Sequence, residues 1–504
     1  MKKIYIILFT LCMAGMSLVS CNDWLDVRPA DEIKEEYLFE TGNGYRTALN
    51  GIYRKMATFD LYGSNLSWGL VDAWGQVYDL KKSTDNGGGK AMKKIADFAY
   101  KNSELVPTTD AMWAAAWNII ANCNNLVQQV AEEDTMLFFN RTQEKNMILG
   151  EAIALRGYMH FDLLRMYAPS PAMNPGERTF IPYVDKYPSY LSDRQTVDYC
   201  LQQIIADLEK AQKMLWEVDK NYNFETEERF DKSPSGEYRF LYYRGFRLNY
   251  YAVTATLARV YLYAGRLDDA YNAAKVLIDI VANKGYFKAL TSYSYIESGN
   301  VKMYDDIIFA LYSTDLTDWD QEINHSTDNA SSPSSESYLA IGTKIVDEFF
   351  GSEQSSDWRL KYQLGPKSSY YYYRSLKYRR QDEGTKYGKV NSVMIPMIRM
   401  SEMYYIAAEA ICGKDLGLAK SYLTSVKKGR GIYYPNLDAV VDQPTMIDAI
   451  VNDARREFFG EGQTFFMYKR LKKELKGVFY DDYVIYKPDE EHLVLPLPDS
   501  ESNI

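Results

Sequence analysis

The chain has 504 residues, of which 46% are hydrophobic and 25% are charged, and its formal net charge at pH 7 is −10. These proportions are ordinary for a folded soluble protein. The acidic balance argues against nucleic acid, because neutralising phosphates requires clustered lysines and arginines, and it does not indicate affinity for an anionic membrane surface.

The first 20 residues have the pattern of a secretory signal peptide. A short basic start, Lys2-Lys3, precedes the apolar run Ile4–Leu11, which is too short to span a bilayer. The segment ends in Leu-Val-Ser-Cys, like a bacterial lipobox, and turns polar at once. We therefore expect Cys21 to carry lipid and to tether the body, residues 21–504, to a membrane. The alternative is a plain signal peptide with an incidental cysteine.

Cysteine and histidine usage gives little support to a metal site or a disulfide framework. Cys123, Cys200 and Cys412 are widely spaced, and no Cys-x-x-Cys occurs. We expect all three to be small buried residues, and we expect no cofactor and no bound metal. The histidines are also far apart in the chain: His160, His325 and His492.

Three long amphipathic helices are predicted in the first half of the chain. Apolar residues recur at helical spacing over Asp110–Val130, Lys145–Tyr167 and Thr196–Leu215. No linker rich in Pro or Gly divides the body, although the length alone is typical of roughly three domains. We therefore expect one compact body, with an N-terminal helical half at about 21–220 and a C-terminal half at about 240–504.

Two later segments have the pattern of a tetratricopeptide helix pair, in which small residues let the helices approach closely. The first pair turns around Gly265, and the second begins in the segment MSEMYYIAAEA. The sequence thus predicts a mainly α fold, a tetratricopeptide-like helical-repeat scaffold with long loops and a few short strands. Generic helical hairpins are the alternative. The matching positions are Leu257, Ala258, Tyr261 and Ala270 in the first pair, and Ile406, Ala407 and Ala419 in the second.

Long polar loops and short strands are expected between the helices. Loops on a rigid scaffold often carry binding residues. The predicted loops are Asp85–Lys90, Phe224–Glu237 and Ser326–Ser337. The predicted strands are Ile307–Tyr312, Tyr370–Lys377 and His492–Leu495.

The chain carries no complete catalytic signature. It has no P-loop, no Gly-x-Ser-x-Gly elbow and no His-Glu-x-x-His, and Gly42-Asn43-Gly44 is only the start of a dinucleotide fingerprint. Ser425–Lys428 fits Ser-x-x-Lys without its companion motifs and lies near a predicted helix end. The acid pairs Asp305-Asp306 and Asp481-Asp482 leave a glycosidase open as an alternative, since that chemistry needs two carboxyl groups across a sugar.

Aromatic residues in polar company are the best candidates for ligand contact. The stretch LSWGLVDAWGQVYD places Trp74 and Tyr78 beside acidic residues, and Trp319 lies in the loop-like stretch TDLTDWDQEIN. Sugar rings pack their C–H faces on aromatic faces while polar side chains bind their hydroxyl groups. We expect Trp74, Tyr78 and Trp319 to stack on a ligand. The alternative for Trp68 and Trp74 is helix core.

The motifs together resemble the SusD/RagB family of surface lipoproteins over essentially the whole mature chain. After the lipobox, the chain carries EAIALRGYMHFDLLRMYA, the helix pair at Gly265, IPMIRMSEMYYIAAEA and ARREFFGEGQTFFMYKRL. Two local departures occur, at 424–430 and at Met467-Tyr468. The most specific positions, which we expect to hold the fold together, are Pro396, Arg399, Glu402, Ala408, Glu409, Ala410, Arg456, Glu457, Gly460, Glu461, Gly462 and Arg470.

The resemblance implies a function that composition does not show. Members of this family lie at the outer membrane of Gram-negative bacteria and cap a SusC-like TonB-dependent transporter. They hold an oligosaccharide, or sometimes a peptide, without cleaving it, and their ligand residues vary too much to be carried over. The leading hypothesis is therefore a non-catalytic glycan-binding lipoprotein that delivers its ligand to such a transporter. The alternatives are a lipid-anchored glycoside hydrolase and a protein-binding helical scaffold without a small ligand.

Overall fold

The computed structural model describes residues 35–79, 94–232, 236–289, 292–323, 339, 341–365, 372–381, 384–479 and 482–502. The predicted anchor Cys21 and the predicted loops Asp85–Lys90 and Ser326–Ser337 lie outside these residues. Within them, no helix is both long and apolar enough to cross a membrane.

The described chain is mainly helical, as the sequence predicts, with short antiparallel strand pairs β1–β2, β3–β6, β4–β5 and β7–β8. Its α-helices are α1 (Glu35–Leu38), α2 (Gly42–Met56), α3 (Leu70–Trp74), α4 (Val106–Glu132), α5 (Arg141–Tyr167), α6 (Val197–Asp219), α7 (Thr226–Phe230), α8 (Tyr250–Tyr263), α9 (Leu267–Lys284), α10 (Ser294–Glu297), α11 (Leu316–Ile323), α12 (Thr343–Phe350), α13 (Lys386–Val393), α14 (Met400–Ile411), α15 (Leu416–Lys428), α16 (Gln443–Glu457), α17 (Thr464–Leu471), α18 (Glu490–Leu493) and α19 (Asp499–Ser502). Its strands are β1 (Thr179–Ile181), β2 (Gln195–Thr196), β3 (Ile307–Tyr312), β4 (Ile341–Gly342), β5 (Tyr372–Tyr373), β6 (Met394–Arg399), β7 (Leu475–Phe479) and β8 (Asp482–Tyr486).

The three long helices of the first half pack side by side, with α5 in contact with both α4 and α6. Helix α5 approaches α6 closely because it presents glycines to it. A Cβ on Gly150 would lie 3.0 Å from Leu215 Cγ, and one on Gly157 would lie 3.3 Å from Leu208 Cγ. The predicted helices are confirmed, and the close contact fixes α5 as the buried centre of this half.

Both predicted helix pairs are present, as α8–α9 and α14–α15, and α9 packs against α14. Gly265 turns the first pair with φ +74°, a left-handed conformation that favours glycine. In the second pair Asp415 accepts a hydrogen bond from the Leu418 amide (2.8 Å) and so begins α15. The alanines expected between the paired helices, such as Ala258 and Ala419, have no exposed surface.

The short strands follow the sequence prediction only in part. Ile307–Tyr312 is confirmed as β3, whereas only Tyr372–Tyr373 of the predicted strand at 370–377 is a strand among the residues described. The predicted strand His492–Leu495 is wrong. Asp489 accepts a hydrogen bond from the His492 amide (3.2 Å), and this cap begins the short helix α18 instead. The predicted loop at 224–237 also contains a helix, α7.

A buried network of ion pairs joins distant parts of the second half. Glu457, at the end of α16, accepts hydrogen bonds from Arg430 Nε (2.9 Å) and from Arg359 Nη1 (3.0 Å). Arg399, the last residue of β6, donates through Nε to Glu461 (2.8 Å). These side chains are almost fully buried, so each charge depends on its partner. Arg399, Glu457 and Glu461, which we expect to hold the fold together, thus all lie in this buried network.

Removing one charge from this network is expected to destabilise the protein strongly. Glu457→Gln leaves Arg430 and Arg359 buried with less compensation, and the expected loss is about 3–5 kcal/mol of unfolding free energy. Glu217→Gln is the matched control, because Glu217 pairs with Lys220 at the surface and should cost less than about 1 kcal/mol. Chemical denaturation of both variants measures the difference, and equal losses would contradict the account.

The loss caused by Glu457→Gln should also depend on pH. Burial alone would raise the pKa of Glu457, but Arg430, Arg399 and Arg359 outweigh it and hold that pKa well below its ordinary value of 4.5. The carboxylate therefore contributes stability above about pH 4.5, and this contribution disappears as the pH falls through the lowered pKa. The stability gap between wild type and variant should be constant from pH 6 to 8 and shrink below pH 4.5. A gap that persists unchanged to pH 3 would contradict this.

Candidate functional site

A cleft of about 1160 Å³ opens on one side of the molecule. One face of α2 forms one wall, and the segment 236–247 forms another. The end of β3, the start of α11 and helix α13 close it. These pieces come from distant parts of the chain, so only the folded structure brings them together.

The α2 wall is polar and exposed. Asn43, Thr47, Asn50 and Arg54 line the cleft and are spaced by four, three and four residues, which places them on one helix face. At 1.5 Å of rise per residue this face is about 16 Å long. It presents amide, hydroxyl and guanidinium groups to the cleft, the kinds of group that bind sugar hydroxyls.

The opposite wall, 236–247, is aromatic. Phe240, Tyr242, Tyr243 and Phe246 line the cleft, and all four are half-buried, so their rings are held by the protein while part of their surface stays open. Tyr243 has φ +56°, a left-handed conformation that is uncommon for a residue with a side chain. The segment 236–247 therefore adds partly open rings to the cleft that the polar face of α2 also lines.

Buried ion pairs of Arg244 and Arg247 hold this aromatic wall in place. Arg244 donates to both carboxylate oxygens of Asp219, at 2.9 Å each, and also pairs with Glu151 of α5. Arg247 donates to Glu151 at 3.1 Å, and Tyr53 of α2 donates to the same carboxylate at 2.7 Å. Glu151 thus connects both walls of the cleft to the central helix of the first half.

Tyr312 and Trp319 lie at the end of β3 and in α11. Tyr312 is 53% exposed, and the edge of its ring meets Phe246 with centroids 5.6 Å apart. The expectation of a loop around Trp319 is wrong, because the amides of Asp318 and Trp319 donate to the Asp315 carbonyl and the first turn of α11 forms there. Trp319 is part of the cleft lining, and its stacking on a ligand stays a prediction.

Trp319 is half-buried and rests on a glycine. A Cβ on Gly63 would lie 2.5 Å from Trp319 Cζ3. The indole can occupy this position only because residue 63 has no side chain. Phe59 supports the indole edge-on, with centroids 5.7 Å apart, and in turn contacts Trp68 at 6.4 Å. Trp68 Nε1 donates to the Gly63 carbonyl (2.8 Å), which fixes the support.

Trp74 and Tyr78, the other two predicted stacking residues, lie in the core. They are 1% and 2% exposed, and neither lines the cleft. Trp74 packs against Tyr100 and Phe465, and Tyr78 Oη donates to the Trp68 carbonyl (2.7 Å). This burial leaves no ring face for a ligand, so for Trp74 the structure supports the core alternative, and for Tyr78 it corrects the expectation.

Asp72, two residues before Trp74, explains why this polar stretch is buried. Asp72 accepts hydrogen bonds from the amides of Gly460 (2.6 Å) and Gly462 (3.1 Å), far along the chain. Burial raises the pKa of Asp72 well above its ordinary value, although these hydrogen bonds oppose the rise. Gly462 has φ +68°, and a Cβ there would lie 2.2 Å from the Leu66 carbonyl oxygen. The stretch 66–78 therefore lies behind the cleft, and none of its residues is part of the cleft lining.

The side chains considered as candidates for catalysis make structural contacts instead. Asp306 is buried and pairs with Arg399 and Arg430, and Asp305 accepts a hydrogen bond from Asn300 (2.7 Å). Neither lines the cleft. Ser425 donates to the Ser421 carbonyl (3.0 Å) near the end of α15. The second acid pair includes residue 481, which lies outside the described residues.

His160 and the three cysteines are likewise committed to the core. His160 accepts from the Val184 amide (3.0 Å) through Nε2, and burial lowers its pKa to about 3. Cys123, Cys200 and Cys412 are buried free thiols, as predicted. No group of three His, Cys, Asp or Glu side chains that could hold a metal ion occurs in the part of the chain that the structure describes.

Sequence reasoning missed most of the cleft. The α2 face and the segment 236–247 carried signals, namely polar residues repeating at helical spacing in 43–54 and the cluster FLYYRGF at 240–246. Neither segment contains a tryptophan, so they did not stand out among the 44 tyrosines and 21 phenylalanines of the chain.

Comparison with known proteins agrees with this architecture. Residues 23–234 match a family model described as SusD-like, "starch-binding associating with outer membrane", and residues 348–489 match the model of the SusD family itself. The chain belongs to the SusD/RagB family. The description of a SusD-like, starch-binding group associated with the outer membrane applies to the family as a whole.

Individual SusD-family relatives are distant in sequence. The SusD-like protein P38 of Formosa agariphila is 25% identical over 228 residues, a match that covers 44% of this chain and 40% of P38. A SusD superfamily protein of Bacteroides thetaiotaomicron has 22% identity and a TM-score of 0.66, and the alignment covers 92% of this chain and 98% of that one. A SusD-like carbohydrate binding protein of Bacteroides vulgatus has 18% identity, a TM-score of 0.67 and coverages of 92% and 96%. These structural likenesses establish the SusD fold.

The support under Trp319 gives a direct test of the cleft geometry. Gly63→Ala should push the indole out of place and cost about 1–3 kcal/mol, because the added Cβ meets Trp319 and nearby carbonyl oxygens at under 3 Å. Gly51→Ala is the matched control, since nothing lies within 4 Å of its Cβ and alanine favours the interior of α2. Thermal unfolding and tryptophan fluorescence report both effects. A neutral Gly63→Ala would show that Trp319 does not rest on Gly63.

Proposed function

We propose that this protein is a non-catalytic glycan-binding lipoprotein of the outer membrane. It holds an oligosaccharide or polysaccharide in the cleft between α2 and the segment 236–247 and delivers it to a SusC-like TonB-dependent transporter. Lipid on Cys21 tethers it, with the body facing the cell surface. A peptide is the alternative ligand, because the family resemblance implies that some members hold a peptide.

The observation that carries this proposal is the lining of the cleft. Partly open aromatic rings, Tyr312 and Trp319 among them, share one space with exposed amide, hydroxyl and charged side chains. Rings pack against the C–H faces of sugars, and the polar side chains bind the hydroxyl groups around the sugar edge. Both walls are fixed by buried contacts before any ligand arrives, which lowers the ordering cost of binding.

Family membership supports the cellular part of the proposal. The family is described as associated with the outer membrane, and the sequence of the first 21 residues has the form of a lipoprotein leader. Delivery to a transporter follows from what the family resemblance implies. The acid pair Asp305-Asp306, which left the glycosidase alternative open, makes structural contacts outside the cleft and so does not support that alternative.

Removing an exposed ring from the cleft should weaken glycan binding without unfolding the protein. With the glycan that retains the full chain most strongly, Tyr312→Ala and Trp319→Ala should each lower affinity about threefold to tenfold, the size of one lost aromatic contact. Tyr312→Ala is the cleaner variant, because its side chain is more exposed and supports less of the core. Titration calorimetry measures affinity, and thermal unfolding checks the fold.

Trp216→Ala is the matched control. Trp216 is 43% exposed on α6 and contacts Tyr250, but it lies outside the cleft lining. Its removal should leave affinity unchanged. If Trp216→Ala weakens binding as much as Tyr312→Ala and Trp319→Ala, or if neither cleft variant changes affinity, the glycan binds elsewhere.

A further inference from the structure

Three cationic side chains face the cleft without a protein partner. Arg54 on α2, Arg239 in the segment 236–247 and Lys389 on α13 all line the cleft and are exposed. Among the residues that the structure describes, none of the three makes a side-chain hydrogen bond or an ion pair. Their charges are therefore available to a bound molecule.

Three carboxylates line the same cleft, Asp231, Glu237 and Asp315. Glu237 pairs with Arg46, which also pairs with buried Glu144. Asp315 accepts from the Thr314 hydroxyl (3.1 Å) at the N-terminus of α11, where the helix dipole favours an anion. Neither Asp231 nor Asp315 forms an ion pair among the residues that the structure describes. Three unpaired cations therefore share the cleft with two unpaired carboxylates, and the balance of these unpaired charges is positive.

We propose that the cleft selects acidic glycans, whose carboxylate or sulfate groups pair with Arg54, Arg239 and Lys389. This rests on the proposed function and adds the substrate class to it. A guanidinium presents parallel N–H donors that match a carboxylate or sulfate, and an ammonium provides a compact charge. The rings of the cleft contact the sugar faces, while the cations recognise the acidic substituents.

The charge of the whole chain makes such local cations necessary. With a formal net charge of −10, the protein repels a polyanionic glycan at long range. A cleft that binds one must carry positive groups at the point of contact. Arg54, Arg239 and Lys389 come from three separate elements of the cleft lining, so a glycan lying in the cleft would meet positive charge from more than one wall.

Matched pairs of glycans test the proposal with the full chain. Polygalacturonate is compared with its methyl ester, and dextran sulfate with dextran, so that each pair differs in charge and the two pairs separate carboxylate from sulfate. At least one acidic member should bind about tenfold more tightly than its neutral match, and high salt should weaken that preference. The variant Arg54→Gln/Arg239→Gln/Lys389→Gln should lose about tenfold in affinity for the acidic member only.

The control variant Lys101→Gln/Lys210→Gln/Lys213→Gln removes the same charge from exposed positions outside the cleft and should bind like wild type. Equal binding of acidic and neutral members would overturn the inference and leave glycan binding intact. So would an acidic preference that survives in the cleft variant, because the recognising charges would then lie elsewhere. Failure of every glycan to bind, these four and a broader panel alike, would overturn the proposed function and this inference together.

Discussion

The buried ion pairs around Glu457 are the constraint on which the second half of the fold depends. They join the end of α16 to Arg430 after α15 and to Arg359, and through Arg399 and Asp306 they reach both strands of the central β3–β6 pair. Each of these charges is costly to bury alone, so the arrangement is stable only when all the segments are in place. Strand β3 begins directly after Asp306 of this network and ends on the cleft at Tyr312, six residues after Asp306. The network therefore sets where one end of the cleft lies.

A second buried carboxylate, Glu151 of α5, holds α2 and the segment 236–247 in place at the cleft. It accepts contacts from Tyr53 of α2 and from Arg244 and Arg247 of the aromatic wall. Most of the side chains that line the cleft are exposed or half-buried. This division separates the residues that specify the SusD/RagB fold from those that meet a ligand. It allows the lining to differ between relatives that share the fold at about 20% identity.

Local pattern was enough to predict the helices, but not which side chains meet solvent. The apolar spacing in Lys145–Tyr167 and the small residues around Gly265 depend on short-range geometry, and both predictions are confirmed. The predicted strand at His492 failed because Asp489 accepts a capping hydrogen bond from the His492 amide, which begins a helix. Trp74 and Tyr78 are buried in a stretch whose Asp72 binds amides nearly 390 residues away, a contact that no local pattern contains. The cleft shares this difficulty, since its walls are distant in sequence.

The central claim is that this chain holds a glycan without cleaving it. Affinity electrophoresis of the full chain against plant, microbial and host glycans, with each mixture then analysed for released sugars, tests this claim most directly. The account predicts retention by one class of glycan and recovery of that glycan intact. Released sugar fragments would contradict the account and indicate a hydrolase, and the absence of retention by any glycan would show that the cleft serves another ligand.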